Sequence, residues 1–242
     1  MRIPLVYIPK TRVKLFLNID KNYSASRQVI SIGCDCHPAH CLQKLHIRQQ
    51  SFPFDWLNTV PERGLQYVVD NINTNFSRFT EDIITNKEGN LVAASYPYAE
   101  FIHERELNTD IEAQHKMKRR GERFIKALHH EPVDLLFNFP ASEIKSEESV
   151  NSVVASAQNL STKIKDSDRI CIYIRYDENT DENAVLANNL IEKLKKVKKI
   201  TVAKYCRNLS KHGIWGNPAE YPALLKSLNI KIAVKFPKIY IR

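Results

Sequence analysis

The side chains most able to do chemistry crowd into one stretch. Gly33-Cys34-Asp35-Cys36-His37-Pro38-Ala39-His40-Cys41 holds three of the five cysteines and two of the eight histidines. A cysteine at the start of a helix faces unpaired N–H groups and the positive end of the helix dipole, and both favour the reactive thiolate. Pro38 suits a first helical turn, because its missing N–H has no partner to lose there. That places Cys36 at a helix start, with Cys34 further back in the turn and Cys41 inside the helix. Cys36 is therefore the candidate nucleophile. Two other readings stand beside it: a loop thiol without a role, or a metal site drawn from Cys34, Cys36, His37, His40 and Cys41. Structural zinc usually takes two separated ligand pairs, and no second pair follows. We expect no metal and no cofactor.

A nucleophilic thiol needs a base, which can come from anywhere in the chain. His103 lies where an apolar pair, Phe101 and Ile102, gives way to charges, as at the mouth of a buried region. It is the first choice. His212, in a loop before Gly213, is the second, while His115, His129 and His130 lie in polar helical surroundings. Asp55 sits among large rings in Phe52-Pro53-Phe54-Asp55-Trp56 and must find hydrogen bonds if buried. It can orient a histidine or cap the helix near Pro61.

These residues need elements to hold them. Residues 28–33 form a short apolar run ending in glycine, a buried strand and tight turn. A helix follows at Ala39, Leu42 and Leu45. Residues 3–8 and 13–17 resemble strand pieces. Helical spacing predicts 61–72 and 110–128, with a hairpin turn at 88–90 and a strand at 91–94. From 133 the pattern alternates: strand 133–139, helix 146–165, strand 169–176, a polar loop from Asp177, helix 181–198, strand 200–205, helix 218–228 and a last core strand 230–236. This rhythm predicts an α/β fold, a mainly parallel sheet with helices on both faces and residues 28–33 central. We expect a single domain over 1–242, with residues 48–130 a mixed insertion after the first strand–helix unit, packed at the carboxyl end of the sheet. Ligands bind at that end of open parallel sheets.

Composition narrows the partners. The 242 residues are 43% apolar and 26% charged, enough for a sizeable core. The net charge of +9 permits an acidic partner. It is not focused, though: the densest run, Lys193 to Lys199, closes a helix, and no nucleic-acid-binding signature accompanies it. Nucleic acid is not an expected partner. No apolar run is long enough to span a bilayer, and no signal sequence opens the chain, so we expect a cytoplasmic location. Cys171 and Cys206, in apolar strand-like runs, read as small buried hydrophobes.

Ile32-Gly33-Cys34-Asp35-Cys36, the following Leu42 and Arg48, and Phe52-Pro53-Phe54-Asp55-Trp56 resemble the bacterial family described as "putative papain-like cysteine peptidases", formerly a domain of unknown function. Its members pair a Ser-Leu-Gly-x-x-Cys turn with a Pro-Phe-Asp-Trp motif. His103-Glu104 resembles the family's histidine followed by an acid, and Arg119-Arg120-Gly121-Glu122-Arg123-Phe124 its Arg-Arg-x-x-Arg-Phe helix. Arg175 matches an arginine ending a core strand, and Trp215 a tryptophan before a closing helix. The likeness spans most of residues 28–228, and Cys34 is extra to the family's turn. It implies a cysteine hydrolase using Cys36 and His103 on a peptide or ester. The alternative is acyl transfer to a sugar of surface polysaccharide. A third reading is a non-catalytic module that binds an anionic or sugar ligand through Arg119, Arg120, Arg123 and Arg175, with Trp215 beside them.

Overall fold

The computed structural model describes residues 2–8, 14–178 and 184–241. Two strands open the chain, β1 (Arg2–Tyr7) and β2 (Lys14–Ala25), followed by β3 (Gln28–Ser31) and α1 (His37–Lys44). The next segment alternates short strands and helices: β4 (Asn58–Thr59), α2 (Pro61–Asn73), β5 (Ile83–Thr85), β6 (Leu91–Ala93), β7 (Ala99–Glu100) and α3 (Ile111–His130). A strand–helix rhythm then runs through β8 (Val133–Pro140), α4 (Glu147–Lys163), β9 (Arg169–Asp177), α5 (Ala184–Leu194) and β10 (Ile200–Arg207). The short α6 (Leu209–His212), α7 (Tyr221–Ser227) and β11 (Ile232–Ile241) follow.

Local chemistry sets several of these boundaries. Asp110 caps α3 by accepting from the Glu112 amide at 2.8 Å, and Ser146 caps α4 by accepting from Ser149 at 3.2 Å. Pro61 occupies the first turn of α2, where no amide is needed. In β8, residues 133–139 are all buried, as befits a strand covered on both faces.

The fold is mixed α/β. Strands β10-β9-β8-β3 make a wholly parallel sheet in that order. Because the chain crosses this sheet in one direction, right-handed crossovers put α4 and α5 on the same face. Their Val150, Val153, Leu190 and Leu194 pack there with Leu135, Phe137, Ile170 and Ile172. The alternate residues Leu136, Cys171, Tyr173 and Tyr205 turn to the other face, against Leu42 of α1 and Leu224 and Leu225 of α7.

Several expectations are corrected. Two further sheets, β1-β2-β11 and β4-β7-β6-β5, are antiparallel, so the parallel sheet is only part of the strand content. Residues 28–31 form an edge of the parallel sheet, not its centre, and their burial comes from the layers above and below. The strand expected at 230–236 is instead β11 (Ile232–Ile241), which pairs with β2 antiparallel and is largely exposed. Cys171 is buried, but Cys206, near the carboxyl end of the edge strand β10, is exposed. The helix expected over 181–198 is described from Ala184 and ends at Leu194; its expected first residues, 181–183, lie outside the described part, as does Val13 of the strand expected at 13–17.

Candidate functional site

Cys36 is the residue immediately before α1, and it is buried, with 8% of the residue exposed. Its Sγ lies 3.6 Å from Nε2 of His103, a residue 67 positions along the chain. His103 is exposed, and its ring meets the Trp56 ring edge-on at 5.9 Å between centroids. The adjacent Glu104 is tied to α3 by Lys116 at 2.5 Å and Arg120 at 2.9 Å. The histidine-bearing turn is thus clamped from one side by a helix and from the other by an indole.

Asp35 organises the turn that presents Cys36. Its Oδ1 accepts from the His37 amide at 2.8 Å and from Asn138 Nδ2 at 3.0 Å, while Oδ2 accepts from Arg175 Nη1 at 2.5 Å. Asn138, in β8, also accepts the Cys34 thiol proton at 3.7 Å, and its amide donates to the Gly33 carbonyl at 3.1 Å. The Asn138 side chain between Phe137 and Phe139 was a signal for this clamp, since a buried polar group must find partners. Burial works to raise the Asp35 carboxyl, but Arg175 and the His37 amide outweigh it and hold it below its ordinary range.

The helix start does not give Cys36 a low pKa. Burial, with Asp35 next, pushes its thiol from 9.0 up to about 11. Cys36 is therefore held as a thiol at neutral pH.

The other ligand-type residues of the turn are occupied in packing. The Nε2–H of His37 donates to the Trp215 carbonyl at 3.0 Å, which leaves Nδ1 to accept from the Tyr173 hydroxyl at 2.6 Å. Burial, reinforced by Arg175, lowers His37 to about 3, so it stays neutral. His40 stacks on Trp215 at 4.1 Å, and Cys41 is wholly buried. Among the described residues, no group of three or more His, Cys, Asp or Glu side chains is arranged to hold a metal ion.

Asp55 is buried, but its Oδ2 accepts from Arg48 Nε at 2.9 Å, Arg48 Nη2 at 2.6 Å and the Phe52 amide at 2.9 Å. It bonds no histidine and does not cap α2, whose preceding residue is Val60. Its route to the site is indirect, because Arg48 lies over the Trp56 ring at 5.7 Å and Trp56 touches His103. His212 ends α6, where no bond joins it to Cys36 among the described residues.

The four arginines do not converge on one ligand position. Arg120 holds Glu104, Arg123 donates to the Ser51 carbonyl and Arg175 holds Asp35. Arg119 is exposed and borders a charged cleft that also takes in His103, Glu106 and Lys116.

A family model described as "Putative papain-like cysteine peptidase" matches residues 27–179, over half of the chain. That span holds the cysteine turn, Asp55, His103, Asn138 and Arg175, and leaves out Trp215. Comparison with curated proteins gives no match, and comparison with solved structures gives none.

Proposed function

The chain belongs to the family described as "Putative papain-like cysteine peptidase", and from that premise we propose that it is a cysteine hydrolase acting on a peptide or ester carbonyl through Cys36 and His103. The observation that carries the reading is the 3.6 Å approach of Sγ to Nε2 between two segments far apart in sequence. A thiol with a pKa of about 11 calls for general-base help rather than a preformed thiolate. As Cys36 Sγ forms its bond to the carbonyl carbon, the thiol proton passes to His103 Nε2. The tetrahedral intermediate then breaks its bond to the leaving amine or alcohol, which takes that proton. Water, deprotonated by His103, then attacks the thioester carbonyl; the C–S bond breaks, the acid leaves, and His103 returns the proton to Sγ. Of the amides at the start of α1, that of His37 is bonded to Asp35 and Pro38 has none. The Cys36 amide itself is the donor we assign to the oxyanion.

Asp55 serves as a positioning residue through Arg48 and Trp56, not as a direct partner of His103. Residues 48–130 act as an insertion in one domain, and what supports this is that they supply His103, Trp56 and the α3 clamp to a turn that follows β3. No helix among the described residues is long and apolar enough to cross a membrane. No disulfide joins the five cysteines, which suits a reducing cytoplasm. The non-catalytic reading is weakened by the arginines, three of which are engaged in protein bonds.

A panel of fluorogenic peptide and ester substrates tests the proposal. Wild type should turn over at least one, Cys36→Ser should abolish that turnover, and His103→Ala should lower it about a hundredfold or more. Turnover that survives Cys36→Ser sinks the reading. Adding a sugar acceptor and finding acyl sugar in place of free acid would move the assignment from hydrolysis to transfer.

A further inference from the structure

Cys36 follows the carboxyl end of β3, between the apolar layers on the two faces of the parallel sheet. The layer on one face includes Leu57 and Phe101, which flank the segment bearing Trp56 and His103. The layer on the other face includes Leu42, Tyr221 and Leu224, and beside it stands a short turn, Gly213–Trp215. This turn lies outside the matched span of 27–179. Buried polar groups fix it from below. His37, 2% exposed, and Tyr221, wholly buried, both donate to the Trp215 carbonyl, at 3.0 and 2.5 Å. Arg207, held by Asp177 at 2.6 and 2.7 Å, donates to the Ile214 carbonyl. Gly216 follows at a φ of +69°, and a Cβ there would collide with the Tyr205 hydroxyl. Three buried donors thus converge on two neighbouring carbonyls, while Ile214 stays 64% exposed and Trp215 half-buried. A side chain held this way is placed before any ligand arrives.

The indole is tied to the nucleophile's own helix. It stacks on His40 with ring centroids 4.1 Å apart and planes 20° from parallel. The His40 amide donates to the Cys36 carbonyl at 3.0 Å, one helical turn on. The two side chains are therefore neighbours on one face of α1, about 6 Å apart at Cβ. Nδ1 of His40 pairs with the Tyr221 hydroxyl at 3.2 Å, and burial, then Lys44, lowers the ring to about 4, so it is neutral. Among the described residues, no ring contact joins the Trp215–His40 stack to Trp56 or His103. The two indoles flank the thiol from different layers.

We propose that Trp215, backed by His40 and flanked by Ile214, forms an acyl-side subsite for a large apolar side chain next to the carbonyl that Cys36 attacks. This rests on the hydrolase reading above. There His103 gives its proton to the leaving group, which puts the leaving group on the His103 and Trp56 side of Sγ. The acyl part then lies across Sγ, over α1 and toward Trp215. Ile214, Trp215 and neutral His40 offer it an uncharged aromatic and aliphatic surface. A sugar ring can also stack on indole, but its hydroxyls need partners. The polar side chains of the turn are already engaged: His37 and Arg207 on the two carbonyls, and Asn217 on the Ala219 amide and Glu220.

Chloromethyl ketones test the subsite, because Sγ bonds to their terminal carbon as chloride leaves and their side chain then sits on the acyl side. The N-acetyl-phenylalanyl and N-acetyl-alanyl reagents are compared on the full chain, with iodoacetamide as a reagent lacking a side chain. Labelling of Cys36 is followed by peptide mass spectrometry. The phenylalanyl reagent should label wild type about tenfold faster than the alanyl one. Trp215→Ala should bring that ratio to about one, and Trp215→Phe should keep most of it. Should Trp215→Ala not fold, Trp215 emission in Trp56→Phe gives a second reading, shifting with the phenylalanyl adduct and not with the alanyl one. Equal wild-type rates, a preference that survives Trp215→Ala, or emission unmoved by the phenylalanyl adduct overturns the subsite and leaves the Cys36–His103 reading standing. A Cys36 that no reagent labels, iodoacetamide included, overturns both.

Discussion

Asp35 stands between two cysteines, where an uncompensated carboxylate opposes ionisation of both thiols. Arg175 is its counterweight, at 2.5 Å and itself 92% buried. Removing one member of a buried pair strands the other, so Arg175→Met should cost about 3 kcal/mol, read as a lower urea midpoint. Its chemical signature is separate. Cys36 has its pKa raised from 9.0 to about 11, so the protonated thiol is the form the fold favours. That contribution to stability is complete below pH 9 and is lost as pH rises through about 11. Alkylation of Cys36 by iodoacetamide should therefore climb through the alkaline range without a plateau near neutrality. In Arg175→Met the climb should move to still higher pH. Arg175→Lys, which keeps the charge, should restore much of the profile. A neutral plateau in wild type would show a preformed thiolate, and an unmoved profile in Arg175→Met would remove the counterweight.

At the scale of elements, α3 matters because it clamps the histidine-bearing turn through Glu104 and steadies the Ser51 carbonyl through Arg123. It packs closely at Gly121, where an added Cβ would lie 2.8 Å from Phe76 Cγ. Phe76 cannot easily withdraw. Phe79, Phe54 and Phe124 surround it with ring centroids at 5.2, 5.5 and 5.7 Å. Alanine favours a helix by about 1 kcal/mol over glycine, whereas overpacking costs about 1–3 kcal/mol. Gly121→Ala should thus be destabilising in urea unfolding, and a raised midpoint would mean that the ring yields. Little of this was legible in the sequence. Apolar periodicity marked α2, α3, α4, β8 and β9 closely, because each element buries one stripe or both faces. It could not rank strands within a sheet, so β3 read as central, although its burial comes from helices. It also missed that β11 belongs to another sheet, although Lys235 and Lys238 interrupt its apolar run. The Cys36–His103 pairing was legible from the helix start and the family motifs. The Asp35–Asn138–Arg175 clamp was not, because it exists only once β3, β8 and β9 lie side by side.

On the scale of the whole molecule, the two halves of the site come from different sheets, so its integrity depends on how they are joined. One apolar cluster spans both. It takes in Ile30, Leu135 and Ile172 of the parallel sheet, and continues through Phe54, Tyr67 and Phe79 to Ala93 and Phe101 in the segment that carries His103. Elements sharing one close-packed core are expected to melt as a cooperative unit. The two tryptophans are placed to report on this. Trp56 touches His103 inside the 48–130 segment, and Trp215 stacks on His40 beyond β10. The single-tryptophan variants Trp56→Phe and Trp215→Phe should each show a fluorescence transition that coincides with that variant's own loss of far-ultraviolet circular dichroism. If the Trp56 signal, read in Trp215→Phe, moves at lower denaturant than the rest, the 48–130 segment unfolds on its own. The Cys36–His103 approach would then be lost while the parallel sheet still stood, and any turnover that rests on the proposed pair should fail before the fold does.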